Sequence, residues 1–393
     1  ITNFYKSIIS TITTIKSGTG NFKGISETDI NFTGAGTANL NNGMTGNIKN
    51  TSLSDNIGIL NLVGTKNQIV DGSVGEGLNK ALKDVNSGIA GTTSTFNKTV
   101  NSQNITNTGT GTTNFKDNVI ATNVNVNDGI SNFEKGLNQD QIGPITAITT
   151  IKDGIGNFNT VQVTGELNET KSNILFSGTG TANLHGNLTG DIDFAGNDAV
   201  VNVSHKKGIF GSIQTLANNT GIVNYQGDGE ITGNIGEKIG NAYYGIQELN
   251  INTNNQQNSG GTGVVVGYDA LARELYADVV NLRNNATLTL KDNVNLINTG
   301  TDNNIIKVDV GNTGKITFLG DSNIEGEVGE SAKAVNTINA GATGKTVTFN
   351  DMVYATNLKY SDAGTVVLNG DTTSNTAEGM VGTVDFDAKA GTL

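Results

Sequence analysis

The 393-residue chain has no cysteine, no tryptophan and a single proline, Pro144, and only 15% of its residues are charged. Lack of cysteine excludes a disulfide scaffold and any thiolate-ligated metal site. Arginine is nearly missing too: Arg273 and Arg283 are the only two among 24 basic residues, and the formal net charge is −12. Phosphate recognition depends on concentrated Lys and Arg, so no nucleic-acid partner is expected. An acidic surface favours solubility and opposes close approach to anionic membranes. No stretch supplies the ~18 consecutive apolar residues of a membrane helix, so no membrane insertion of this chain is expected. The chain opens at Ile1 without Met, a basic n-region or a cleavage site, and stops at Gly391-Thr392-Leu393. It therefore reads as a piece cut from a longer protein.

What is present is glycine (53 residues) with Asn, Thr and Ser, set around short runs of Ile, Val, Leu and Phe. A disordered chain would have fewer β-branched residues and denser charge, so a core of small, regularly spaced apolar groups is expected. The chain also repeats itself, and repeats decide the fold before any local pattern does. TTIKSGTGNF (Thr13–Phe22) and FTGAGTANLNNGMTGNI (Phe32–Ile48) return as TTIKDGIGNF (Thr149–Phe158) and FSGTGTANLHGNLTGDI (Phe176–Ile192). A further relative spans 364–386, giving the set 13–48, 149–192 and 364–386. A second set is 72–105, 233–250 and 326–358, whose shared text is Gly-x-Val/Ile-Gly-Glu. In its two longer copies, Phe96, Val100 and Ile105 match Phe349, Val353 and Leu358.

The copies share one grammar, in which four to seven residues alternate apolar and polar and Gly, Asn or Asp then turns the chain. Thr346-Val347-Thr348-Phe349 and Thr287-Leu288-Thr289-Leu290 are clear examples. Period-two alternation between turn residues predicts half-buried strands. Related strand blocks separated by loops of variable length fit a parallel β-helix whose coils stack while insertions leave sideways. The expected fold is all-β, a single elongated β-solenoid over 1–393 with short helical or loop insertions. At ~20–25 residues per coil it would hold roughly 16–19 coils, in a rod on the order of 80 Å long. An antiparallel sandwich is the alternative. Two stretches break the rhythm and predict short helices: Glu76–Asn86, with Leu78, Leu82 and Val85 on one face, and Asp269–Asn281, with Leu271, Leu275 and Val279 four apart. Asn252–Gly263 predicts a loop.

No motif carries chemistry without a blander explanation. Gly341-Ala342-Thr343-Gly344-Lys345-Thr346 resembles a phosphate-binding loop, but Asn339 stands where the first Gly belongs and a strand follows instead of a helix. His185 takes the place of Asn42, to within one position, in the earlier copy, which marks a turn surface. Neither His185 nor His205 has metal-ligand spacing, and a Ser-His-Asp triad finds no G-x-S-x-G context. Asp191/Asp193 and Asp385/Asp387 each place two carboxylates on one side of a strand, as glycan-cleaving β-helices do for acid/base work or for calcium. Their recurrence in two copies favours a structural role. No catalytic, cofactor-binding or metal residue is therefore assigned.

The phrases GTANLNNGMTGNI, GTANLHGNLTGDIDF and VNTINAGATGKTVTFNDMVYATNL resemble the passenger repeats of rickettsial surface cell antigens, the outer membrane protein A and B type autotransporters. The resemblance implies a non-enzymatic β-solenoid passenger, without cofactors, exported through an outer-membrane barrel and displayed at the bacterial surface. It further implies a role as adhesin in host-cell attachment and invasion, with a host cell-surface protein as partner, or self-association in a structural surface layer. A polysaccharide lyase or hydrolase on the same fold is the third expectation. Asn252–Gly263 and the Glu76–Asn86 insertion are the expected contact loops.

Overall fold

A computed structural model describes residues 1–77, 80–140, 148–164, 172–255, 263–267, 272–370, 379–386 and 391–393. Pro144, Leu78, Asp269, Leu271, Asp387 and most of the loop expected at Asn252–Gly263 lie outside them. Two compact units follow one another, Ile1–Gly190 and Asp191–Leu393. Each is a parallel β-solenoid, with about 16 turns in the two taken together.

Stacking follows directly from the alternating text. In the first unit Gly18–Phe22 lies in parallel register on Gly36–Leu40, pairing Asn21 with Asn39 and Phe22 with Leu40. Ile155–Phe158 lies in the same way on Thr181–Leu184. The two recurring phrases are thus successive coils, each followed by the coil it stacks on. Between paired strands the register step varies from 17 residues, between Thr13 and Ile30, to 35, between Gly229 and Val264. Most strands keep their register while the connections absorb the difference, because a one-residue slip inside a strand would turn its buried face outward. Bulges shift it in Ile8–Ile15, Asn304–Val308 and Val353–Tyr360.

Inward residues form columns along each unit. Phe96, Phe115, Phe133 and Phe158 stack at centroid separations of 5.2, 5.0 and 5.1 Å with nearly parallel rings. All four are at most 1% exposed. In the second unit Val266, Leu290 and Phe318 form such a column, as do Leu249, Val280 and Ile306. Turn chemistry is supplied by asparagine as well as glycine: among the described residues, eight of the ten non-glycine residues with positive φ are Asn, including Asn56, Asn219 and Asn312.

Two expectations are overturned. Among the described residues there is no α-helix, and the two stretches read as helical carry strands, Leu82–Ser87 and Arg273–Leu282. The reason lies in strands that round a corner between two faces. In Arg273–Leu282 the buried residues include Leu275, Ala277, Val280 and Leu282. The first part pairs with Val294–Asn298 and the last with Asn304–Val308. The alternation changes phase between Ala277 and Val280, so Val279, which the four-residue spacing places on one face with Leu275, is only half-buried. Leu82 and Val85, both fully buried, bracket a similar change of phase. The antiparallel sandwich is also excluded. The described pairings are parallel except for the hairpin Glu237–Ile239 with Ala242–Tyr244 and a single bridge between Glu330 and Lys333.

Candidate interaction surfaces

The Gly-x-Val/Ile-Gly-Glu text builds one kind of corner three times. Val74 bridges Ile48 and Val100, Ile235 bridges Ile213 and Leu275, and Val328 pairs with Val353. All three side chains are fully buried. The glycine that follows has φ of +69° at Gly75, +72° at Gly236 and +77° at Gly329. Each glycine N–H donates to the preceding coil, to Ile48 O at 2.8 Å, Ile213 O at 2.7 Å and Ile306 O at 2.8 Å. A Cβ at any of the three would overlap a carbonyl oxygen, that of Asn101, Tyr244 or Tyr354. Only glycine satisfies both conditions.

After each corner the chain leaves the coil and closes on itself. The Glu76 N–H donates to Lys80 O at 3.1 Å, and the Glu330 N–H to Lys333 O at 3.2 Å. The Glu237 copy opens a full antiparallel hairpin, pairing Glu237 with Tyr244 and Ile239 with Ala242. This hairpin presents Ile239, 50% exposed, and Tyr243, 36% exposed. Lys238 Nζ lies 4.7 Å above the Tyr243 ring, and that ring rests on Tyr276 at 5.3 Å. Burial, reinforced by the Glu274 carboxylate, pushes the Tyr276 hydroxyl up to about 12. The corner acids stay in local contacts: Glu76 with Lys49 at 2.9 Å, and Glu330 with Lys307 at 3.7 Å. Burial, with Asp193 beside it, raises the Glu237 carboxyl.

Outward asparagines form ladders that the sequence reading missed. In the first unit, Asn21 donates to Asn3, Asn39 to Asn21, Asn61 to Asn39 and Asn86 to Asn61, at 2.7, 2.7, 2.8 and 2.8 Å. A second ladder runs Asn183 to Asn157 to Asn132 to Asn114, at 2.7, 2.6 and 2.6 Å. The second unit has one from Asn281 through Asn250 and Asn224 to Asn202. The available signal was the dipeptide Asn-Phe or Asn-Leu closing strand after strand, at Asn21, Asn39, Asn61, Asn114, Asn132, Asn157 and Asn183. Beside the second ladder lies a groove of about 440 Å³ lined by Asn132, Phe133, Glu134, Asn157, Asn159 and His185.

The residues singled out by sequence are not brought together. His185 sits in an exposed turn, and its N–H donates to Phe158 O just as that of Asn41 donates to Phe22 O, so it replaces Asn41 and not Asn42. His205 lies in another turn, where Nδ1 accepts the Asp228 N–H at 3.1 Å and Nε2 is 3.9 Å from its carboxylate. Asp191 and Asp193 do share the outer side of one strand, with Ile192 buried between them. Their carboxylates accept backbone N–H groups, from Ser212 and Ala195, each at 2.7 Å. Burial raises Asp191. Arg273 donates to Thr232 O and Arg283 to Asn250. Lys345, the lysine of the loop resembling a phosphate site, is held by Asp292 at 2.8 Å and Asp321 at 3.4 Å, and the strand Thr346–Phe349 follows. Among the described residues, no group of three or more His, Asp or Glu side chains could hold a metal ion. No helix among the described residues is long and apolar enough to cross a membrane. No family model, curated protein or solved structure matches the chain.

Proposed function

We propose that the chain is a non-enzymatic passenger of the surface-antigen autotransporter type, displayed at the bacterial surface and acting as an adhesin toward a host cell-surface protein. The observation that carries this reading is the repeated corner. A solenoid with fixed register releases side excursions of different length at Glu76, Glu237 and Glu330, and the longest exposes Ile239, Tyr243 and Lys238. Rigid scaffolds commonly carry recognition on such projecting segments, and aromatic and aliphatic anchors dominate contact energy. The non-enzymatic part is supported by the use of the Asp191 and Asp193 carboxylates as acceptors for turn N–H groups.

The test is attachment of beads coated with the purified chain to host cells. A variant whose Glu237–Tyr244 hairpin is cut to the length of the Glu330–Lys333 excursion should lose attachment while keeping the thermal transition of the parent. Undiminished attachment would remove the hairpin from the adhesive surface. Failure of the parent itself to attach, combined with association of chains in solution, would favour the surface-layer reading.

A further inference from the structure

We propose that the groove beside Asn132 and Asn157 binds an extended, uncharged glycan, with the stacked amides reading successive sugar units. Three successive coils present the same outward pair, one residue in the strand and one just past its end: Asn132 with Glu134, Asn157 with Asn159, and Asn183 with His185. The first member of each pair belongs to the amide ladder. Asn132 donates once, to Asn114, and accepts once, from Asn157. Asn157 donates once, to Asn132, and accepts once, from Asn183. A primary amide has two N–H groups and two lone pairs on its oxygen. Each of these half-buried amides therefore offers one donor and one acceptor to the groove it lines. The ladder also fixes the amide planes, so little side-chain freedom is left to lose on binding. Rows recur at the ~4.8 Å spacing of paired strands. The result is a regular file of neutral donor–acceptor pairs.

The surroundings decide which polymer fits. Ile155, 37% exposed, lies on the same outer face as Asn157 and gives the apolar contact that a sugar ring face needs. A polyanion would meet the Glu134 carboxylate, while the nearby lysines are engaged, Lys116 with Glu134 and Lys135 with Asp117 at 2.9 Å. An extended peptide adding as a strand needs an open edge. Ile130–Phe133 and Ile155–Phe158 are already paired on both sides. A chain of hydroxyls without charge remains. The site is independent of the adhesive reading, since it is measured in solution without host cells.

The experiment is calorimetric titration of the whole chain with two neutral β-1,4-linked series, glucose oligomers and N-acetylglucosamine oligomers, from dimer to hexamer. Affinity for at least one series should rise with length until the rows are covered and then level off. Asn157→Leu should weaken binding about tenfold, the equivalent of one or two lost hydrogen bonds. Asn39→Leu breaks a matching ladder away from the groove, between Asn21 and Asn61, and should leave affinity unchanged. Absence of binding in both series would overturn the proposal, and so would equal losses in the two variants. Tighter binding of a polygalacturonate or of an extended peptide would overturn it as well.

Discussion

The Arg283 guanidinium covers Asn250, with Nε and one terminal nitrogen donating to the same Oδ1 at 3.2 and 3.0 Å. Asn250 is only 2% exposed and also receives the Asn281 amide, so its oxygen accepts from three nitrogens at once. Arg283→Ala should cost about 1–2 kcal/mol, the range for a charge-assisted hydrogen bond that water partly replaces. Arg283→Lys should recover less than half of that, because a single ammonium cannot reproduce the two-pronged geometry. Urea denaturation of the two variants checks both figures.

Corner glycines and turn glycines should separate cleanly. Gly329 has φ +77° and its Cβ position overlaps Tyr354 O, whereas Gly344 has φ +67° with nothing within 4 Å of a Cβ. Gly344→Ala should cost about 1 kcal/mol, the left-handed backbone penalty alone. Gly329→Ala should cost at least twice as much, because the added methyl also forces two coils apart. Equal thermal shifts for the two would show that the corner relaxes freely.

The phenylalanine column should behave as nearest-neighbour stacking. Phe133→Ala removes a ring packed between Phe115 and Phe158 and should destabilise by about 3–5 kcal/mol. In a solenoid each coil contacts only its neighbours. Lost hydrogen-exchange protection should therefore centre on Thr112–Phe115, Ile130–Phe133 and Ile155–Phe158, and leave Gly18–Phe22 protected.

Asp191 should make stability fall as pH rises through the acid range. Burial raises its folded pKa, partly opposed by the Ser212 N–H, so the folded state holds its proton more tightly than the unfolded chain. The penalty for ionisation is absent below the unfolded value of about 4 and complete above the raised folded value. Asp191→Asn keeps an acceptor for Ser212 and should be stabilising at neutral pH, with the gain vanishing on acidification. Asp302 works in the opposite sense. Lys307 lowers it, so its contribution is present above the unfolded value and lost as pH falls through the folded one. A pH series of melting temperatures distinguishes the two directions.

The parallel solenoid was legible because alternation, turn residues and recurrence all agreed, as in Thr346–Phe349 and the Gly-x-Val/Ile-Gly-Glu corners. The corner-rounding strands were not. Leu275 to Val280 changes phase where one strand passes between faces, and the four-residue spacing of Leu275 and Val279 masks that change in the sequence. The ladders were hidden for another reason. Asn served as a turn signal in the reading of the text, and it does turn the chain at Asn219 and Asn312. At Asn132 and Asn157 the same residue sits inside a strand, and its role depends on a partner about 25 residues away. The groove inherits that non-locality.

Asn132, Asn157 and Asn183 in the second ladder point the same way, each Nδ2 toward the coil before it. Such a row has a head and a tail, as an arrow does. A polymer lying along it would meet donors and acceptors in one order from one direction and in the reverse order from the other. The face can therefore sense which way a chain runs, and a glycan with distinct reducing and non-reducing ends should settle on it in a single orientation.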